Sequence, residues 1–176
     1  YQQPNRLYRN NGDGTFTDIA AEQGVADHGR HQMSFASWFW DVDNDGWLDL
    51  FVAGYAGHFE DAVSTFFDLP AATADRLNLY INDGAGNLRD ASNEAGLDLA
   101  YSVMGVKFGD IDNDGFLDLY LGTGAPPLEY IVPHVLFRNL GGERFVDVTA
   151  SARVGHLQKG HGIAFGDLDN DGDQDI

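Results

Sequence analysis

A chain of 176 residues, 43% hydrophobic and 12% aromatic, is long enough to bury an ordinary core and too apolar to stay disordered. Ten basic against 28 acidic residues give a formal charge of -18, which excludes a nucleic-acid partner and disfavours anionic membranes, because both need a basic surface. The absence of cysteine removes disulfides and Cys-ligated zinc, and no apolar run approaches the ~18 residues of a membrane-spanning helix.

In chain order, YQQPNRLYRN carries no apolar signal core. It opens a unit, NRLYRNNGDGTFTDIAAEQGV (5–25), that returns as LNLYINDGAGNLRDASNEAGL (77–97) and HVLFRNLGGERFVDVTASARV (134–154). Tyr8, Tyr80 and Phe137 correspond, as do Asn10, Asn82 and Asn139, then Gly12, Gly84 and Gly141, then Asp18, Asp90 and Asp147. The pattern predicts a tight hairpin of strands over 7–9 and 15–17, with glycines supplying the positive φ of the turn.

SFASWFW (34–40) predicts a strand entering an acidic loop, and LDLFVAG (48–54) a strand leaving it. VMGVKFG (103–109) and LDLYLGT (117–123) repeat that pair. Asp49 to Tyr80 spans 31 positions but Asp118 to Phe137 only 19, so an insertion lies within 54–75, and a short helix is expected inside 58–75. Each full module reads as four antiparallel strands, A to D, the signature of a β-propeller blade. The expected layout is all-β: a half-blade at 5–25 (strands C and D), a blade at 34–97 with its insertion, a blade at 103–154, and a half-blade at 161–176 (strands A and B). A closed wheel needs ~4–8 blades. The expectation is therefore either a section of a longer propeller or copies that pair through open blade edges, two of them making a six-bladed ring.

The loop itself, DVDNDGWLDLFV (41–52), returns as DIDNDGFLDLYL (110–121) and DLDNDGDQDI (167–176). In D-x-D-x-D-G-x-x-D, oxygens at positions 1, 3 and 5 can converge once a glycine at position 6 allows a sharp turn. The position 7 carbonyl and an acid at position 9 close the cage. Hard oxygen donors in that number select Ca²⁺ over Mg²⁺. An EF-hand would carry Glu at position 12, where this chain has Val52 and Leu121, and the flanking segments are strand-like, which also argues against a dockerin-type loop.

The FGD triplets at Phe108–Asp110 and Phe165–Asp167, with the 5–25 hairpin, resemble FG-GAP/VCBS-type repeats, the calcium-binding propeller blades also found in integrin α-subunit heads and, in a bacterial branch, in many secreted proteins. The resemblance implies up to three Ca²⁺. Its ligands would fall on Asp41, Asp43, Asp45, the Trp47 carbonyl and Asp49; on Asp110, Asp112, Asp114, the Phe116 carbonyl and Asp118; and on Asp167, Asp169, Asp171, the Asp173 carbonyl and Asp175. Trp40 departs from the pattern, since Gly109 and Gly166 hold its place, so the strand before the first loop is expected to pack differently.

Three Ca²⁺ offset only a third of the formal -18, so the surface stays acidic. No Ser/His/Asp arrangement, phosphate-cradling Gly loop or His pair at metal spacing occurs, and His28, His31, His134, His156 and His161 do not recur between modules. The expected function is a non-enzymatic, Ca²⁺-stabilised scaffold for extracellular protein binding or adhesion, in extracellular or periplasmic space where Ca²⁺ is near millimolar. The alternative is lectin-like carbohydrate binding or part of a secreted propeller enzyme, with Trp38, Trp40, Trp47, His58, Phe59, Phe66 and Phe67 as candidate contacts.

Overall fold

The structure is a computed structural model that describes residues 4–26, 33–55, 59–67, 69, 75–125 and 131–176. His28, His31 and His58 lie outside the described residues, as does part of the 54–75 insertion.

The described chain is all-β, with two short helices. A two-stranded hairpin, β1 (Tyr8–Asn10) with β2 (Phe16–Asp18), comes first. The first four-stranded sheet runs β3 (Ser34–Trp40), β4 (Asp49–Gly54), β5 (Leu77–Asn82) and β6 (Leu88–Asp90) in sequence order. Helix α1 (Phe59–Phe66) falls inside the insertion, as the sequence expects. The second sheet repeats the order with β7 (Val103–Gly109), β8 (Asp118–Thr123), β9 (Val135–Leu140) and β10 (Arg144–Asp147). A four-residue helix, α2 (Thr149–Ala152), follows, and the third acidic segment closes on a bridge between Gly166 and Asp175. Among the described residues, two four-stranded antiparallel sheets lie between a two-stranded hairpin and an isolated bridge, as partial propeller blades would, and no sheet closes into a barrel.

The period of two along β4 explains how blades stack. Leu50 and Val52 face the hairpin side and join Ala20, Val25 and Tyr80 in one cluster. Phe51 and Ala53 face the other way and join Leu77, Leu79, Leu119, Leu121, Val135 and Phe137 in the main core between the two sheets. Because both faces of β4 and β8 are covered, every residue of these strands is buried.

The first hairpin turn has the five-residue length that strands over 7–9 and 15–17 leave between them, moved one residue along the chain. Residues 11–15 join β1 to β2 through two successive side-chain turns: Gly12 N donates to Asn10 Oδ1 at 2.8 Å and Thr15 N to Asp13 Oδ1 at 2.9 Å. Gly12 and Gly14 both take positive φ there. The Asp that ends the second strand of each hairpin has a similar local cause, accepting the N–H two residues on: Ala20 to Asp18, Ser92 to Asp90, Thr149 to Asp147.

Trp40 does change the packing. Its indole is buried and lies against the Phe108 ring, centroids 4.1 Å apart, with Phe51 edge-on to both. At the next seam the equivalent residue is Gly109, and a Cβ there would stand 2.5 Å from the Phe165 ring. One seam is thus ring against ring and the next is ring against backbone.

Candidate metal centres

The three acidic loops share one conformation. Asn44, Asn113 and Asn170, at position 4, have φ of 60°, 58° and 61°, and the position 6 glycines have φ of 93°, 91° and 96°. Non-glycine residues rarely enter this left-handed region, and Asn tolerates it best because its short side chain can bond locally. The first carboxylate of each loop is the hub. Asp41 accepts the N–H of Asp45 at 3.0 Å and of Gly46 at 2.8 Å. Asp110 accepts Asp114 N at 3.1 Å and Gly115 N at 2.9 Å, and Asp167 accepts Asp171 N at 3.1 Å and Gly172 N at 3.0 Å. The position 5 acids, Asp45, Asp114 and Asp171, each accept the N–H of position 7 at 2.8–2.9 Å.

The loops bring carboxylates together in threes. Oxygens of Asp41, Asp43 and Asp45 lie within 4.8 Å of one another, as do those of Asp110, Asp112 and Asp118, and of Asp167, Asp169 and Asp175. Asp49, Asp114 and Asp171 stand outside these triads. Such clusters could hold a metal ion, and the donor set, hard oxygen throughout, fits Ca²⁺ rather than a softer metal. Of the residues assigned through their carbonyls, Trp47 leans its exposed indole over Gly84, and Asp173 turns its carboxylate to the neighbouring loop.

The position 9 acids make bonds that their spacing alone did not reveal. Asp49 and Asp118 are 1% and 0% exposed. In each, one oxygen accepts an N–H from position 2 of its own loop, Val42 at 2.9 Å or Ile111 at 2.8 Å. The other accepts from the third strand, Asn82 N at 2.8 Å or Asn139 N at 2.8 Å. A single carboxylate thereby ties loop, second strand and third strand together. Burial pushes the Asp118 carboxyl up to about 6 against the pull of these two donors, and neighbouring Asp112 and Asp114 add to the rise. Asp49 shifts the same way for the same first reason, as does Asp43, where Asp45 and Asp41 contribute. Arg138 approaches Asp112 at 3.6 Å.

The asparagines of the recurring hairpin complete the arrangement. Asn139, fully buried, donates Nδ2–H to Val42 O of the preceding loop at 2.9 Å and to Leu117 O at 3.3 Å, while its Oδ1 accepts Gly142 N at 2.8 Å. Asn82 makes the equivalent local bonds, to Leu48 O at 3.1 Å and from Gly84 N at 3.1 Å. Their alignment with Asn10 was visible in the sequence; the bonding role was not.

The carbohydrate candidates fare unevenly. Trp40 is buried in the seam. Trp38 is 40% exposed and carries the Lys107 ammonium 4.7 Å from its ring centroid. Phe66 and Phe67 are exposed and border a cavity of about 930 Å³ between α1 and the rim of the second sheet.

Comparison with known sequences decides the family. The FG-GAP-like repeat matches residues 1–52 and again residues 41–121. The chain belongs to the FG-GAP-like repeat family. Cartilage acidic protein 1 of Homo sapiens is 28% identical over 203 residues, covering 89% of this chain and 30% of that protein. The Mus musculus protein of the same name is 28% identical over 137 residues, 77% of this chain and 19% of its own length. The Xenopus tropicalis protein is 30% identical over 123 residues, 69% of this chain and 16% of its own length. This FG-GAP chain therefore spans less than a third of the relatives it matches. Among the described residues no helix is long and apolar enough to cross a membrane.

Proposed function

We propose that this FG-GAP chain is a non-enzymatic, calcium-stabilised section of a propeller that presents a protein-binding surface outside the cell or in the periplasm. The observation that carries the reading is the threefold recurrence of one loop, with the same backbone angles, the same N–H pattern and a carboxylate triad each time. In this reading Asp41, Asp43, Asp45, Asp49 and the Trp47 carbonyl hold one Ca²⁺. Asp110, Asp112, Asp114, Asp118 and the Phe116 carbonyl hold a second, and Asp167, Asp169, Asp171, Asp175 and the Asp173 carbonyl a third. The ion neutralises carboxylates that cannot all ionise at close range without it, and so clips the entry strand of each blade to the next. Extracellular modules of this chemistry bind with dissociation constants of ~10⁻⁴–10⁻³ M, which motivates the location.

Equilibrium dialysis against Ca²⁺, with metal analysis of the retained protein, tests this. The expected result is up to three ions per chain, not displaced by equimolar Mg²⁺, with a melting temperature that falls on chelation. No uptake at millimolar Ca²⁺ would reject the reading. The cavity beside Phe66 and Phe67 supports carbohydrate binding as the second reading, since exposed aromatic faces beside Asp147, Thr149 and Arg153 suit a sugar. A glycan array with and without chelator separates the two.

A further inference from the structure

The acidic loops are not independent of one another. Asn44, at position 4 of the first loop, donates Nδ2–H to Gly115 O in the second at 2.9 Å. Asn113, the same position in the second loop, donates Nδ2–H to Asp173 Oδ1 in the third at 2.8 Å. Each bond leaves one loop between its position 3 and position 5 acids. Each lands on the position 6–7 segment of the next, the part that must turn to offer its carbonyl. Asn170 occupies the same position with φ 61°, yet among the described residues its side chain makes no such bond.

We infer that Asn44 and Asn113 are positioning residues that couple neighbouring cation sites, so that filling one loop pre-orders the next and Ca²⁺ binds with positive cooperativity. The inference rests on the calcium reading above. An ion held by Asp43 and Asp45 fixes Asn44 between them. The fixed amide then holds Gly115 and, through it, the Phe116 carbonyl. A second ion meets a loop whose ordering is already done, which raises its affinity. One exposed hydrogen bond per link sets the scale at about fivefold in the dissociation constant, the lower end of typical couplings.

The test is calorimetric titration of Ca²⁺ into chelator-stripped protein. Asn44→Gly and Asn113→Gly remove the donor while keeping a residue that accepts positive φ. Asn44→Asp is a second variant that tolerates the backbone but presents only acceptors. Asn170→Gly is the internal control for loop flexibility alone. The expected result is a cooperative isotherm for the unaltered chain and for Asn170→Gly. Asn44→Gly and Asn44→Asp should lose the coupling of the first site to the second, Asn113→Gly that of the second to the third, and each should weaken the dependent step about fivefold. Removing the first site with Asp43→Ala should weaken the second, and adding Asn44→Gly to it should change nothing further. In the loaded protein, amide exchange over 110–118 should quicken in Asn44→Gly. Three ions bound with constants and isotherm shape identical across Asn44→Gly, Asn113→Gly and Asn170→Gly would overturn the coupling and leave the calcium reading standing. No ions bound to any variant would overturn both.

Discussion

Substituting Asn139 by alanine tests what the recurring asparagine contributes, and the structure grades the answer. The change removes the bonds to Val42 O at 2.9 Å and from Gly142 N at 2.8 Å, with a weaker one to Leu117 O at 3.3 Å. Val42 is fully enclosed, so its carbonyl is left with a buried lone pair and no route to water. Two net hydrogen bonds at ~1 kcal/mol each, and ~1 kcal/mol or more for the stranded acceptor, give about 3 kcal/mol. Asn82→Ala loses two longer bonds near solvent and should cost ~1 kcal/mol. Asn10→Ala loses the Gly12 contact on an exposed turn and should cost ~0.5 kcal/mol. Urea titration at one fixed Ca²⁺ concentration reads the series. With a slope of ~2 kcal/mol/M, Asn139→Ala should lower the midpoint on the order of 1.5 M. Equal midpoints for the three variants would show that the bond across the seam adds nothing, and the reasoning would fail.

Asp118 gives a pH prediction for the chelated protein. Its folded carboxyl lies at about 6, above the ordinary 3.8, so the folded state holds the proton more tightly than the unfolded one. The stabilisation is complete below about pH 4 and is lost as pH rises through 6, on the order of 3 kcal/mol from this group. Chelator-treated Asp118→Asn should fall less steeply over that window in urea titrations than the unaltered chain, the remaining slope coming from Asp43 and Asp49, which burial also raises. Gly142 tests the close approach of the second blade to the first loop. It has φ 80° and a Cβ would collide with Asp43, whereas Gly14, φ 88°, faces open space. Gly14→Ala should cost ~1 kcal/mol by chemical denaturation, and Gly142→Ala at least twice that, because backbone must move as well.

Much of the architecture was legible because the repeat spelled it out. Strands such as LDLFVAG and LDLYLGT alternate residues for two covered faces, and DNDG announces the left-handed turn in every copy. Trp40 in place of a glycine forecast a different seam, and the Trp40–Phe108 contact is that difference. What local pattern could not show was the hydrogen bonds between segments distant in sequence. Asp49 and Asp118 look like ordinary members of an acidic loop, but only the folded sheet brings Asn82 N and Asn139 N to their second oxygens. The same holds for Asn44, whose partner Gly115 stands 71 residues away. Helix α2 was invisible in TASA because four residues carry no period, and it closes on Arg153 at φ 61° rather than on a glycine.

The unlike seams make the repeats less interchangeable than their sequences suggest. A recombination that exchanged one blade for another at the FGD boundary would separate the residue before the loop from the phenylalanine it was fitted to. Phe108 set against a glycine would leave the volume of an indole empty, and Phe165 set against a tryptophan would have nowhere to lie. Heritable units of this propeller should therefore run from the middle of one blade to the middle of the next, carrying each seam whole, and chimeras cut there should fold where chimeras cut at the loops do not.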